Sequence, residues 1–230
     1  MPSYQEDARV IRATLLSAAL QEYPGKRIVL LIDDPQTPRT ERARELLNAA
    51  RALPGEIEDL LAGPAAHFGR ALESFEAAFR DGGRPGFAVM VDLIQNYGAA
   101  VGWLENLAVH QEITDHTDIF FANEVVLRLA KSLRTISAAL RDSLAEGVVL
   151  SPSQLRRLYR RLAWTFRAEL SSFERKRYVS LSHEPNKAMN LNSYIGLMGG
   201  TYRAAQTPTG LALVPASPGP HRHRGHRVHH

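Results

Sequence analysis

Two kinds of hydrophobic pattern alternate near the start of the chain. In residues 7–21, apolar or small residues recur at helical spacing, which predicts a helix that ends before Tyr23-Pro24-Gly25. The apolar run in residues 27–32 predicts a strand that is covered on both faces. A second helix is predicted for residues 40–53, where Pro54-Gly55 stops it. This alternation is typical of an α/β layer.

The middle of the chain, residues 56–176, shows long helical patterns with no convincing strand between them. Two apolar stripes recur every three or four positions and should pack on one another: Val125, Leu129, Leu133, Ile136, Leu140 and Leu144, and Leu155, Leu158, Leu162, Phe166, Leu170 and Phe173. Ser151-Pro152-Ser153-Gln154 supplies an N-cap, a proline at the first helical position and a glutamine at the third. We therefore expect residues 56–176 to form a helical insertion.

The α/β alternation returns after this insertion. Residues 178–182 have the pattern of a short strand, and the helix that opens at Lys187 carries a cation and amides in its first turns. Because a helix N-terminus presents unpaired N–H groups, a lysine there would reinforce phosphate binding. Residues 206–230 lose periodicity, so we expect a disordered tail. Metal binding by the tail's histidines is the alternative.

Composition and charge narrow the possible functions. The chain of 230 residues is 44% hydrophobic and has no cysteine, which suits a globular protein and excludes disulfides. Of its 28 basic residues, five lie in residues 185–230, which contain no acidic residue, and the remaining 23 face 24 acidic ones. This distribution argues against nucleic acid as a partner. With no secretory signal and no apolar run of the roughly 20 residues that span a bilayer, we expect a cytoplasmic chain.

Two carboxylates, Asp33 and Asp34, directly follow the predicted strand and precede Pro35. In open α/β sheets, ligands bind beyond the carboxyl ends of the strands, which makes this pair a candidate ligand site. The alternative is that the two aspartates only start a turn and cap the next helix.

Two other clusters admit a functional and a structural interpretation. One is a face of the last long helix that could bind phosphates or an anionic membrane surface, although a solvated face is favoured: Arg156, Arg157, Arg160, Arg161 and Arg167. The other combines His110 and His116 with Asp115 and Asp118, but this spacing matches no compact metal-ligand pattern.

The segments Pro2–Glu6, Asp33-Asp34 and Lys187–Asn192 resemble, in this order, motifs of the family 2 glycosyltransferases related to cellulose synthase. Pro2-Ser3-Tyr4-Gln5-Glu6 resembles the family's Pro-Ala-Tyr-Asn-Glu signature, which follows its first strand. Asp33-Asp34 is similar to the family's Asp-Asp pair at the end of its second strand. Lys187-Ala188-Met189-Asn190-Leu191-Asn192 is similar to its Lys-Ala-Gly-Asn-Leu-Asn motif, with Met189 in place of the glycine. The resemblance covers residues 1–205.

The resemblance implies a partial GT-A (Rossmann-like) nucleotide-sugar-binding sheet, made of residues 1–55 and 177–205, with the large all-helical insertion between them. It implies that one aspartate contacts the uracil or ribose of a sugar nucleotide and that Lys187 contacts the diphosphate. The implied parent transfers a sugar from a nucleotide-diphosphate sugar, expected to be a UDP-sugar, to a glycan acceptor at the cytoplasmic face of the plasma membrane. The implied donor-binding residues are Tyr4, Glu6, Asp33, Asp34, Lys187, Asn190 and Asn192.

Two departures from the family pattern limit this interpretation. The family's first strand precedes its opening signature, whereas only Met1 precedes Pro2 here. Members also carry a later Asp-x-Asp motif that coordinates a divalent metal (Mg²⁺ or Mn²⁺) and an acidic catalytic base, but no aspartate follows Asp142. Because departure of the diphosphate needs such a cation, we expect a fragment that is inactive alone. The alternative is a non-enzymatic helical interaction module.

Overall fold

The computed structural model describes residues 1–80, 82–184 and 186–216. The chain divides into two units, of which the first contains Met1–Ile11, Val29–Pro54 and the chain from Leu170 onward, and the second contains Arg12–Ile28 and Gly55–Glu169. The fold class is mixed α/β, as the sequence predicts. Among the described residues, no helix combines the length and the apolar character needed to cross a membrane.

The described residues form strands and helices in mixed order. The elements are β1 (Pro2–Ser3), α1 (Ala8–Ala19), β2 (Lys26–Ile32), α2 (Glu41–Ala78), α3 (Phe87–Val109), α4 (His116–Phe120), α5 (Arg128–Ala145), α6 (Pro152–Phe166), β3 (Ala168–Glu174), α7 (Lys187–Leu197), β4 (Tyr202–Thr207) and β5 (Gly210–Pro215). A π-helical segment, Phe121–Leu127, joins α4 to α5, and a 3-10 turn, Arg175–Arg177, follows β3.

The sheet of the first unit has the strand order β1-β2-β3. β1 is parallel to β2, with Pro2 opposite Leu31 and Ser3 opposite Ile32. The carboxyl ends of β2 and β3 lie at the same edge, because Asp33, which directly follows β2, contacts Arg175, which directly follows β3. The prediction of a strand at residues 27–32 is therefore confirmed.

A hairpin completes the core of the first unit. β4 and β5 are antiparallel, and Thr207 pairs with Gly210 across the two-residue turn. Leu213 of this hairpin is buried against Leu31 and Phe173, and Leu211 packs against the same core. Alternate apolar side chains of β5 thus pack on the core. The prediction of a disordered tail is wrong for residues 206–216. Residues 217–230, which include the histidines of the alternative metal-binding tail, lie outside the described residues.

The prediction that the second helix ends before Pro54-Gly55 is wrong. α2 continues through Pro54-Gly55 and Gly63-Pro64, although prolines inside a helix remove backbone hydrogen bonds. Ile57 and Leu61 maintain the helical spacing of buried residues beyond the first proline. Burial of this apolar face offsets the lost backbone bonds, since tertiary packing supplies most of the stability of a protein helix.

Two secondary-structure predictions in residues 168–182 are also wrong, one for a helix and one for a strand. α6 ends at Phe166, and Leu170 and Phe173 lie in β3 because pairing with β2 holds this segment extended. Residues 178–182, predicted to be a strand, instead form a turn in which Leu181 N–H donates to the carbonyl of Tyr178. The N–H of Val179 still donates to β5, but the segment forms no regular ladder.

The second unit is mainly helical, and aromatic side chains contribute to its core. The ring of Phe166 on α6 lies 4.9 Å from Phe68 on α2, and Tyr159 stacks on Phe75 at 4.8 Å. α3 packs against α5. The predicted start of α6 is confirmed, because Ser151 and Gln154 form both bonds of a capping box.

In the second unit, residues of the arginine face on α6 and of the His/Asp cluster form contacts with a structural role. Arg160 pairs with Glu76 at 2.9 Å and Arg161 pairs with Glu22 at 2.6 Å, so part of the arginine face is engaged in ion pairs. Asp115 accepts backbone N–H bonds at the start of α4 and forms a capping box with Asp118. These two aspartates therefore have a helix-capping role.

Candidate functional site

Segments that are distant in the sequence meet at the carboxyl end of β2. The backbone N–H of Gln5 donates to both carboxylate oxygens of Asp34, at 3.2 and 3.3 Å. Asn190 on α7 donates through Nδ2 to a backbone carbonyl of β2 at 2.9 Å. Lys187 Nζ lies 3.5 Å from Glu6 Oε1. The three segments with the motif resemblance therefore form one cluster in the first unit.

Asp33 has strong cationic partners. Arg175 Nε donates to Asp33 Oδ1 at 2.7 Å, and Lys176 Nζ lies 3.6 Å from the same oxygen. Lys176 Nζ also donates to the backbone carbonyl of Asp33 at 2.5 Å. The guanidinium of Arg175 is fully buried, so its charge depends on Asp33 for compensation. Asp33 thus holds the end of β3 against the end of β2.

Asp34 differs from its neighbour because it has open acceptor positions. Among the described residues, only the Gln5 N–H donates to its carboxylate, which can accept about four bonds. Burial raises the pKa of Asp34, although the Gln5 bond and the nearby charge of Lys176 act in the opposite direction. Gln5 itself has a φ of 48°, a conformation that non-glycine residues rarely adopt and that is concentrated at functional sites.

α7 presents Lys187 at its first position. Asn186 caps this helix, since its side chain accepts the N–H groups of Ala188 and Met189. The Lys187 side chain is 67% exposed, and its ion pair with Glu6 therefore contributes little to stability. A lysine at a helix N-terminus, with only a weak partner, can bind an anion.

The remaining predicted site residues take different positions. Tyr4 is partly exposed, and its ring centroid lies 5.5 Å from Lys176 Nζ. Asn190 is fully buried, and its Oδ1 has no hydrogen-bond partner among the described residues. Asn192 is exposed, because two positions advance a helix by about 200° and place it away from the face that carries Asn190. The structure therefore does not bring Asn192 to the cluster.

Sequence reasoning missed Arg175 and Lys176 as site residues. Both belong to the basic run Arg175-Lys176-Arg177, which directly follows a strand. That run could have been paired with the acidic run after β2 if β3 had been recognised. Its misassignment as helix concealed the relationship.

The cluster offers a carboxylate acceptor, an exposed aromatic ring and a lysine at a helix N-terminus. Such groups can contact the N–H groups of a base, ribose hydroxyls and phosphate oxygens. No three His, Asp or Glu side chains in the described ranges lie together as a metal-binding group.

Comparison with known proteins adds no relative: no family model, no curated protein and no solved structure matches the chain.

Proposed function

We propose that the first unit is the donor-binding part of a GT-A type, family 2 glycosyltransferase and binds the nucleotide of a nucleotide-diphosphate sugar. The parent reaction is transfer of the sugar to a glycan acceptor by displacement at the anomeric carbon. The observation that supports this proposal most is the meeting of residues 2–6, Asp34 and residues 187–190 at one edge of the sheet. Ligands of open α/β sheets bind at this edge.

The contacts distinguish the roles of the candidate residues. Asp34 accepts from the base N–H or the ribose hydroxyls, because Asp33 is already engaged by Arg175. Lys187, together with the N-terminus of α7, offsets the charge of the diphosphate. Tyr4 offers a partly exposed ring beside the same edge. We assign these residues to donor binding and assign no bond-breaking step to them.

Calorimetry with uridine, UDP and UDP-glucose tests these roles. Asp34→Asn retains an acceptor for the Gln5 N–H and should weaken uridine and UDP alike. Lys187→Ala should weaken UDP by about tenfold and leave uridine unchanged, because only UDP carries the diphosphate. Lys131→Ala removes an exposed lysine from α5 of the second unit and serves as the matched control.

Two outcomes would contradict the assignment. If Asp34→Asn, Lys187→Ala and Lys131→Ala all bind UDP as tightly as the unchanged chain, the site is elsewhere. If the chain is folded by circular dichroism and binds neither uridine nor UDP, the result would favour the alternative, a non-enzymatic helical interaction module.

A further inference from the structure

A cavity of about 230 Å³ lies beside the end of β3 in the first unit. Arg51, Ser172, Glu174 and Arg177 line it. None of these residues belongs to the donor-binding cluster described above. The cavity is therefore a separate candidate for ligand binding.

The carboxylate in this cavity is already satisfied. Arg51 donates to Glu174 through Nε at 2.9 Å and through Nη2 at 2.7 Å. Gln36 donates to the same carboxylate at 2.5 Å. Burial alone would raise the pKa of Glu174, but the bonds from Arg51 and Gln36 outweigh it and the pKa is lowered. Glu174 is therefore ionised at neutral pH, and it fixes the orientation of the Arg51 guanidinium.

The cavity is also lined by donor atoms that have no hydrogen-bond acceptor among the described residues. Arg51 Nη1 forms no hydrogen bond with any described residue. The exposed guanidinium of Arg177 and the hydroxyl of Ser172 likewise form no hydrogen bond or ion pair within the described part of the chain. Two guanidinium charges face one carboxylate, which leaves a net positive charge. The cavity is thus rich in donors, and its acceptor is occupied.

We propose that this cavity binds a phosphoryl group, either as free phosphate or as a small phosphomonoester. Guanidinium groups bind phosphate oxygens through paired N–H bonds, and a hydroxyl adds a further donor. A tetrahedral phosphoryl dianion presents acceptors in more directions than a planar carboxylate, which suits donors on two arginines and a serine. This inference stands independently of the proposed donor site, because the two sites share no residue.

Titration with inorganic phosphate at constant ionic strength tests the proposal. Arg177→Gln should weaken phosphate binding by about tenfold, because it removes an unpaired guanidinium. Ser172→Ala should weaken it less, since a neutral donor forms a weaker bond. Arg203→Gln, which removes an exposed arginine from β4, is the matched control and should bind as the unchanged chain does.

Two further ligands identify the source and the class of the anion. Tighter binding of glucose 1-phosphate than of inorganic phosphate would indicate that the ligand is a phosphomonoester. Tighter binding of inorganic phosphate would indicate that the ligand is free phosphate. Acetate that binds as tightly as phosphate would overturn the assignment to a phosphoryl group. Absence of saturable phosphate binding, or equal affinities in Arg177→Gln and Arg203→Gln, would overturn the site itself.

Discussion

Arg175 Nε lies 2.7 Å from Asp33 Oδ1, and both side chains are almost inaccessible to solvent. The same guanidinium donates to the backbone carbonyls of Ser182 and Glu184. One side chain therefore joins the end of β2 to the segment that leads into α7. Because α7 carries Lys187, the Arg175–Asp33 pair contributes to the position of the candidate donor site.

Arg175→Met should strongly destabilise the protein. It leaves the Asp33 carboxylate buried without its main partner, a change that typically costs about 3–5 kcal/mol. Urea unfolding followed by circular dichroism measures the loss. Arg177→Met is the control, because Arg177 is exposed and its substitution should change the free energy of unfolding by less than about 0.5 kcal/mol. Equal losses in the two variants would contradict a stabilising role for the buried pair.

Titration of Asp34 should make the free energy of unfolding depend on pH in the acidic range. Burial raises its pKa above the ordinary value of 3.8, so the folded state binds the proton more tightly than the unfolded state. Protonated Asp34 therefore stabilises the folded state. This stabilisation is complete at pH values below the ordinary pKa and is lost as the pH rises through the raised pKa of the folded state.

Asp34→Asn removes this titration. The free energy of unfolding of the variant, minus that of the unchanged chain, should therefore increase from about pH 3.5 and level off in the mildly acidic range. Urea unfolding at a series of pH values measures the difference, with Asp59→Asn on the exposed face of α2 as a control. A difference that is constant with pH would contradict the effect of burial.

Local sequence is sufficient to predict the elements that flank the candidate site. The apolar run of β2, the amphipathic α1 and the start of α7 at Lys187 each follow from neighbouring residues. Pairing between distant segments determines β3, which the local sequence does not predict. Leu170 and Phe173 are three positions apart, a helical spacing, and only pairing with β2 makes their segment a strand.

The partner of Asp33 could not be predicted for a related reason. Arg175 is 142 positions away in the sequence, and no local pattern links the two residues. The resemblance identified Asp33 and Asp34 together, but contacts alone distinguish them. Asp33 forms a buried ion pair, whereas Asp34 keeps open acceptor positions.

Gly210→Ala should destabilise the hairpin that closes the core of the first unit. Gly210 has a φ of 131°, and an added Cβ would lie 2.9 Å from Val179 Cγ1. Backbone strain of this kind costs about 1–3 kcal/mol. Gly69→Ala is the control, because it lies in α2 with no atom within 4 Å of an added Cβ and should gain up to about 1 kcal/mol. Equal unfolding midpoints for the two variants would contradict the need for glycine at the hairpin.

Lys26 stabilises the C-terminal ends of two helices in the second unit. Its Nζ donates to the carbonyls of Ala19 and Gln21 at the end of α1, both at 2.5 Å. It also lies 2.7 Å from the carbonyl of Trp164 and 3.2 Å from that of Thr165, near the end of α6. The last carbonyls of a helix lack partners within the helix, and the helix dipole favours a cation there.

Lys26→Met should therefore lower the free energy of unfolding by about 1–3 kcal/mol, because it keeps an apolar stem and leaves buried carbonyls unpaired. Burial lowers the pKa of Lys26 to about 8, so the ammonium group is protonated and donating at about pH 6. Urea unfolding at that pH compares it with Lys131→Met, which removes an exposed lysine on α5. If the two variants are equally stable, water replaces the ammonium at the helix ends and Lys26 is dispensable there.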